Sequence, residues 1–269
     1  MTAGCCDFFV LQLFTVSGGI DLFRTAIRRQ PFCLSENFGQ HMKTKQTIIF
    51  LALMTVLIPS GRVNAANVIV PGTSDLWLAG MPPNSTASGG DVAPGQSPVL
   101  VTGVQIMPGG SYFFTASGSV RHGPSQGFSG PEGDSGQITP HFAGAENGIA
   151  GLTAPVDALI GVFLSSQQPD LSAAPAGLDF TSSASRTYSQ LSPALQQPFF
   201  IGDGLNGQVP REIIAPQGAS RLFLGTMDGQ GWFNNEGEFN VTVVPEPNVV
   251  LLLSLGSIAC LFAIRRGRN

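Results

Sequence analysis

Residues 238–244 read Glu238-Phe239-Asn240-Val241-Thr242-Val243-Val244. Phe239, Val241 and Val243 alternate with Glu238, Asn240 and Thr242. A period of two sends apolar side chains to one face and polar ones to the other, the pattern of a half-buried β-strand. Similar runs recur upstream: VLVTGVQI at 99–106, SYFFTASGSV at 111–120, ALIGVFL at 158–164 and RLFLG at 221–225. Gly and Pro punctuate the intervals every eight to fifteen residues. Met107-Pro108-Gly109-Gly110, between two such runs, reads as a hairpin turn.

Composition points the same way. The 269 residues include 34 Gly and 20 Pro, about one residue in five, which disfavours a helical protein. Nineteen Phe and a hydrophobic content of 43% supply a core. The expected fold class is all-β, a β-sandwich or jelly-roll ectodomain, with an N-terminal signal helix and a C-terminal transmembrane helix. Two stretches, 121–155 and 165–198, read as long loops because Gly, Pro, Ser and Gln outnumber apolar anchors there.

The ends read as addresses. Lys43 and Lys45 precede an apolar run from Thr47 to Ile58, and Val63-Asn64-Ala65 suits cleavage, so 42–65 reads as a secretory signal peptide. Residues 1–41 are then expected to be an upstream extension ahead of a start at Met42; a long, atypical n-region is the alternative. Near the other end, Val249 to Ile264 is a run of sixteen uncharged residues, about 24 Å as a helix. Arg265, Arg266 and Arg268 follow it and belong on the cytoplasmic side. Both ends therefore place the ectodomain, 66–243, outside the cytoplasm.

Within that ectodomain stand four arginines, no lysine and thirteen acidic residues, a net charge of −9. Such a surface repels phosphate backbones, which excludes nucleic acid as a partner. Cys5, Cys6, Cys33 and Cys260 all lie outside it, so neither an internal disulfide nor a thiolate metal site is available there.

Val244-Pro245-Glu246-Pro247, the apolar segment and the terminal arginine cluster together resemble a PEP-CTERM sorting signal, covering 244–269. The resemblance implies a Gram-negative host and recognition of Pro245, Glu246, Pro247, Arg265 and Arg266 by an exosortase-type membrane protease. It also implies transient residence in the inner membrane, then a place at the cell surface or in a biofilm's exopolysaccharide matrix. A plain C-terminal anchor is the alternative.

The chemistry-bearing stretch is Met227-Asp228-Gly229-Gln230-Gly231-Trp232-Phe233-Asn234-Asn235-Glu236-Gly237. It offers a carboxylate, two adjacent amides and turn carbonyls, the oxygen donors calcium takes. An ordinary turn uses the same residues. Segment 112–134, with His122-Gly123-Pro124 and Gly130-Pro131-Glu132-Gly133-Asp134, followed by Asp228, Asn234, Asn235 and Gly237, resembles the calcium-dependent galactophilic lectins of the PA-IL type. What that resemblance implies is a calcium site built from the His122 carbonyl, the Asp228, Asn234 and Asn235 side chains, and the Trp232 or Gly231 carbonyl. The ion would hold two sugar hydroxyls. Trp232 is the expected stacking surface, and His141, in a reversed Pro140-His141 pair, a further sugar contact.

Enzyme readings are weak. Gly123-Pro124-Ser125-Gln126-Gly127 fits G-x-S-x-G, but no helical pattern follows it. No zinc motif includes His122 or His141. The expectation is a non-catalytic, calcium-dependent, lectin-like surface protein, with a purely structural envelope or matrix protein as the alternative.

Overall fold

The computed structural model describes residues 64–246. Residues 1–41, the signal segment up to residue 63, the sorting residues Pro247, Arg265 and Arg266, and the span 249–264 lie outside the described residues. Among the described residues no helix is long and apolar enough to cross a membrane.

The strands, in chain order, are β1 (Ala66–Pro71), β2 (Val99–Leu100), β3 (Ser111–Arg121), β4 (Asp134–Pro140), β5 (Leu152–Val156), β6 (Leu159–Leu164) and β7 (Leu178–Asp179). After them come β8 (Gln190–Leu191), β9 (Phe199–Phe200), β10 (Leu205–Asn206), β11 (Val209–Pro210), β12 (Glu212–Ile214), β13 (Arg221–Thr226) and β14 (Glu236–Pro245). Helix among the described residues amounts to one α-turn, Ser183–Arg186, and short 3-10 turns. The fold is all-β.

Five strands form one sheet in the order β1-β14-β3-β12-β8, and four form a second in the order β2-β13-β6-β9. Their facing side chains make a shared core. From the first sheet come Val70, Tyr112, Phe114, Ile213, Phe239, Val241 and Val243; from the second, Leu159, Phe163, Phe199, Leu222 and Leu224. The alternation along β14 sets this arrangement, since Phe239, Val241 and Val243 are buried while Glu238 and Asn240 are exposed. Its neighbour β3 keeps the same period through Gly118, which pairs with Phe239 at φ +101°. A β-carbon at Gly118 would lie 2.4 Å from the Glu238 carbonyl oxygen, so only glycine lets β14 approach.

The strand β6 is buried at all six positions. Leu159 and Phe163 face the first core. Ile160, Val162 and Leu164 face a second one, built from Trp77, Leu152, Ala154, Phe180, Phe200 and Trp232. A strand covered on both faces reads as a continuous apolar run, which LIGVFL is. A third sheet, β4-β5-β7, contributes Leu152 and Ala154 to this outer layer.

Three expectations need correction. Residues 121–155 are not one loop but contain β4 and β5, which pair antiparallel. β4 is hard to read because most of its side chains are exposed. Met107–Gly110 makes a turn, with Gly110 N–H donating to the Met107 carbonyl, yet it joins no hairpin. The strand before it pairs with β13 and the strand after it with β14, so the turn passes the chain between sheets. The run at 99–106 keeps strand geometry only at Val99–Leu100.

Candidate functional site

β13 belongs to the second sheet and β14 to the first, so the segment between them, 227–235, must cross from one to the other. The β6–β13 ladder extends past Thr226: Met227 N–H donates to Ala158 O at 2.8 Å and Asp157 N–H to Met227 O at 2.7 Å. Asp157 is thereby set beside Asp228. Its backbone is left-handed, φ +66°, a conformation that Asp tolerates better than most residues.

The end of β3 completes the cluster. His122 Nδ1 lies 3.0 Å from Asp157 Oδ2, and His122 Nε2 lies 3.2 Å from the Gln137 amide nitrogen. The Nδ1–H tautomer satisfies both contacts. A side chain added at Gly123 would come within 3.7 Å of Asn234 Nδ2, so the His122-Gly123 corner also meets the crossing segment. Asn235 is buried, donates through Nδ2 to Gly72 O at 3.2 Å and hydrogen-bonds the Asp228 carboxylate. Asp228 Oδ1 also accepts from Gly229 N–H.

Burial raises the pKa of both acids. For Asp228, desolvation outweighs the hydrogen bonds from Gly229 and Asn235 and the nearby His122. For Asp157, desolvation outweighs its bond to His122. Two buried oxygens in this cluster, Asp157 Oδ1 and Asn235 Oδ1, have no hydrogen-bond partner among the described residues. Buried polar atoms are normally paired, so the cluster has unspent acceptor capacity.

The segment is braced from beneath. Asp91 is fully buried and accepts Trp232 N–H at 3.0 Å and Phe233 N–H at 2.9 Å, capping the 3-10 turn Trp232–Asn234. The Trp232 carbonyl accepts Asn235 N–H at 3.1 Å, which leaves it one lone pair.

His122, Asp228, Asn234, Asn235 and the Trp232 backbone are thus brought together around the crossing segment. Two expected sugar contacts do not reach the surface. The Trp232 ring is buried in the second core, with Nε1 donating to Thr226 O at 2.9 Å. The His141 imidazole is sealed against Trp77, so neither ring offers a face to a ligand. The exposed aromatic neighbours are instead Phe128, Phe142 and Phe233. Asp157 was not marked by any sequence motif; a lone Asp in Pro155-Val156-Asp157-Ala158 becomes notable only once the ladder sets it next to Asp228. Asp134 and Glu132 stay out of the cluster: Asp134 caps Gly136 N–H, and Glu132 pairs with Arg211 at 2.8 Å.

Among the described residues no group of three or more His, Cys, Asp or Glu side chains is placed to hold a metal ion. An ion here would depend on amide and carbonyl oxygens beside Asp157 and Asp228, a donor set suited to calcium and not to zinc. Two surface recesses, of about 230 and 270 Å³, lie elsewhere and include neither Asp228 nor Asn234. No protein-family model matches the chain, and no curated protein matches it.

Proposed function

We infer that the chain is an exported surface or matrix protein whose sandwich-like ectodomain binds carbohydrate without catalysis, through a calcium ion held at the 227–235 crossing. The observation that carries this is the pair of unpartnered buried oxygens, Asp157 Oδ1 and Asn235 Oδ1, beside the Asp228 carboxylate. Asp157, Asp228, Asn234 and Asn235 would hold the ion by their side chains, with the carbonyls of His122 and of Trp232 or Gly231. When bound, calcium supplies coordination positions for sugar hydroxyls. The residues of the chain fix the donors: Asp91 holds the turn that carries Asn234, and the β6–β13 ladder holds Asp157 against Asp228.

The sorting reading adds the address. A signal peptide and a PEP-CTERM tail would deliver the domain through the inner membrane to an exosortase-type protease. From there it would reach the cell surface or extracellular matrix of a Gram-negative bacterium, where polysaccharide is abundant.

The test is thermal unfolding of the purified full chain in detergent, with calcium or with chelator. Saturating a native-state site at a hundred times its dissociation constant adds about 2.7 kcal/mol. The expected result is a higher melting temperature with calcium, lost in Asp228→Ala. An identical melting temperature in calcium and chelator would overturn the reading. It would favour a purely structural envelope protein, in which the crossing is only a rigid link. The anchoring of Asn235 to Gly72 and of Trp232 to Thr226 supports that second reading.

A further inference from the structure

Nine large apolar side chains are exposed among the described residues, and the three aromatic ones are Phe128, Phe142 and Phe233. All three lie against the same segment, 229–237, each at a glycine. Phe142 lies across Gly229: a β-carbon there would fall 2.6–2.9 Å from three atoms of its ring, and Phe142 N–H donates to Gly229 O at 3.0 Å. The Phe233 ring flanks Gly231, 3.4 Å from an added β-carbon, and the Phe128 ring borders Gly237 at 3.0 Å. Phe128 already carries the Arg121 guanidinium, 4.8 Å from its ring centre. Phe142 and Phe233 have no such partner among the described residues, with 62% and 58% of their surface exposed. Exposed aromatic rings cost solvation free energy, and their gathering on one segment marks a contact surface.

We propose that Phe142 and Phe233 are stacking positions for an uncharged polysaccharide, engaging several sugar units of one chain beside Asp228 and Asn234. This rests on the carbohydrate reading above and adds to it the ligand's length and charge. The C–H faces of a sugar ring are apolar and flat enough to pack on a phenyl ring, while its hydroxyls suit the carboxylate and amide oxygens next to it. Charge argues for a neutral ligand. The four arginines of the ectodomain are all engaged: Arg121 by Glu236, Arg211 by Glu132, Arg186 by the Phe180 and Thr181 carbonyls, and Arg221 by the Ser165 and Gln167 carbonyls. An anionic glycan or an anionic lipid surface would meet net repulsion. A second copy of the chain would bring together two surfaces of the same sign.

The experiment measures binding of neutral oligosaccharides of one to six glucose, galactose or mannose units to the full chain in detergent, with calcium and with chelator. Affinity is expected to rise with chain length. Phe142→Ala and Phe233→Ala are each expected to weaken hexaose binding about tenfold. The calcium-dependent melting shift should stay intact in both, and Phe142→Tyr and Phe233→Tyr should restore binding. Hexaoses bound no tighter than monosaccharides, or bound equally by the alanine variants, would overturn the proposal. So would no binding to any of the series, or alanine variants that lose only self-association or vesicle binding. Loss of the calcium shift in the wild type would instead sink the ion site, a separate failure.

Discussion

The His141 imidazole lies flat on the Trp77 indole, ring centroids 3.6 Å apart and planes 10° from parallel. Its Nδ1 faces the Gly144 carbonyl at 2.8 Å, and its Nε2 faces the Ser88 hydroxyl at 3.3 Å. The Glu146 carboxylate stands 3.4 Å from Nε2, yet burial dominates and pushes the imidazole down to about 4. The folded state therefore resists a proton that the unfolded chain accepts near pH 6.5.

The first prediction concerns that proton. Between pH 6.5 and about 4 the unfolded state binds more protons at this residue, so its contribution to stability falls as the pH falls. The loss approaches about 3 kcal/mol by pH 4. Asp75, Asp91, Asp157 and Asp228 oppose it, because their raised values let the folded state take up protons early. Comparison with His141→Gln isolates the histidine. Denaturant unfolding at pH 7 and pH 4.5 should show the wild type losing more stability than the variant. Parallel profiles would mean that His141 does not resist protonation.

The second concerns Asp91. Its carboxylate accepts the N–H groups of Trp232 and Phe233 and acts on Gly231 as well. Asp91→Ala strands those donors at the edge of the second core. We expect a loss of about 2–3 kcal/mol, since each buried donor left unpaired costs about 1–3 kcal/mol. Asp91→Asn keeps one acceptor oxygen and should lose less. The urea midpoint should move with little change in slope. An unchanged midpoint in Asp91→Ala would show that the turn stands without its cap.

What could be read in the sequence divides along physical lines. Strands buried on one face, such as β14, carry a period of two, and β6 carries the unbroken apolar run of a strand buried on both. β4 lacks either signal because it is mostly exposed, and Leu152-Thr153-Ala154-Pro155-Val156 hides β5 behind a proline. Asp228, Asn234 and Asn235 could be picked out because they crowd one segment. Asp157 could not, since its role depends on a ladder 70 residues apart in sequence. Trp232 departs from its expected exposure for the converse reason. Loop residues usually face solvent, but this segment passes over a second core that takes the larger ring inward and leaves Phe233 outside.

A third prediction separates calcium binding from stability in chelator. Raised pKa values mean that charged Asp157 and Asp228 burden the fold above their folded values. That burden is absent below about pH 3.8, where both states are protonated. Asp228→Asn should therefore melt higher than the wild type in chelator at pH 7, yet lose the rise on calcium addition. Asp157→Asn should do the same, with a smaller gain because its bond to His122 is altered. Calorimetry in both conditions checks this. A variant destabilised in chelator would show that the carboxylate supports the fold instead of serving an ion.

The last prediction contrasts two adjacent residues. Trp232 points into the core and its Nε1–H satisfies the Thr226 carbonyl, whereas Phe233 is exposed beside Gly231. Trp232→Phe leaves the carbonyl without that donor and a gap in the packing against Trp77, whose ring centroid lies 5.5 Å away. The expected cost is about 2 kcal/mol, from an unmet hydrogen bond and lost contact. Phe233→Ala removes an exposed ring and should leave the unfolding free energy within about 0.5 kcal/mol of wild type. In oligosaccharide binding the order reverses: Phe233→Ala weakens it while folded Trp232→Phe binds as the wild type does. If Trp232→Phe abolished binding without loss of stability, the indole would be the ligand contact after all, and its burial would have to give way when the ligand binds.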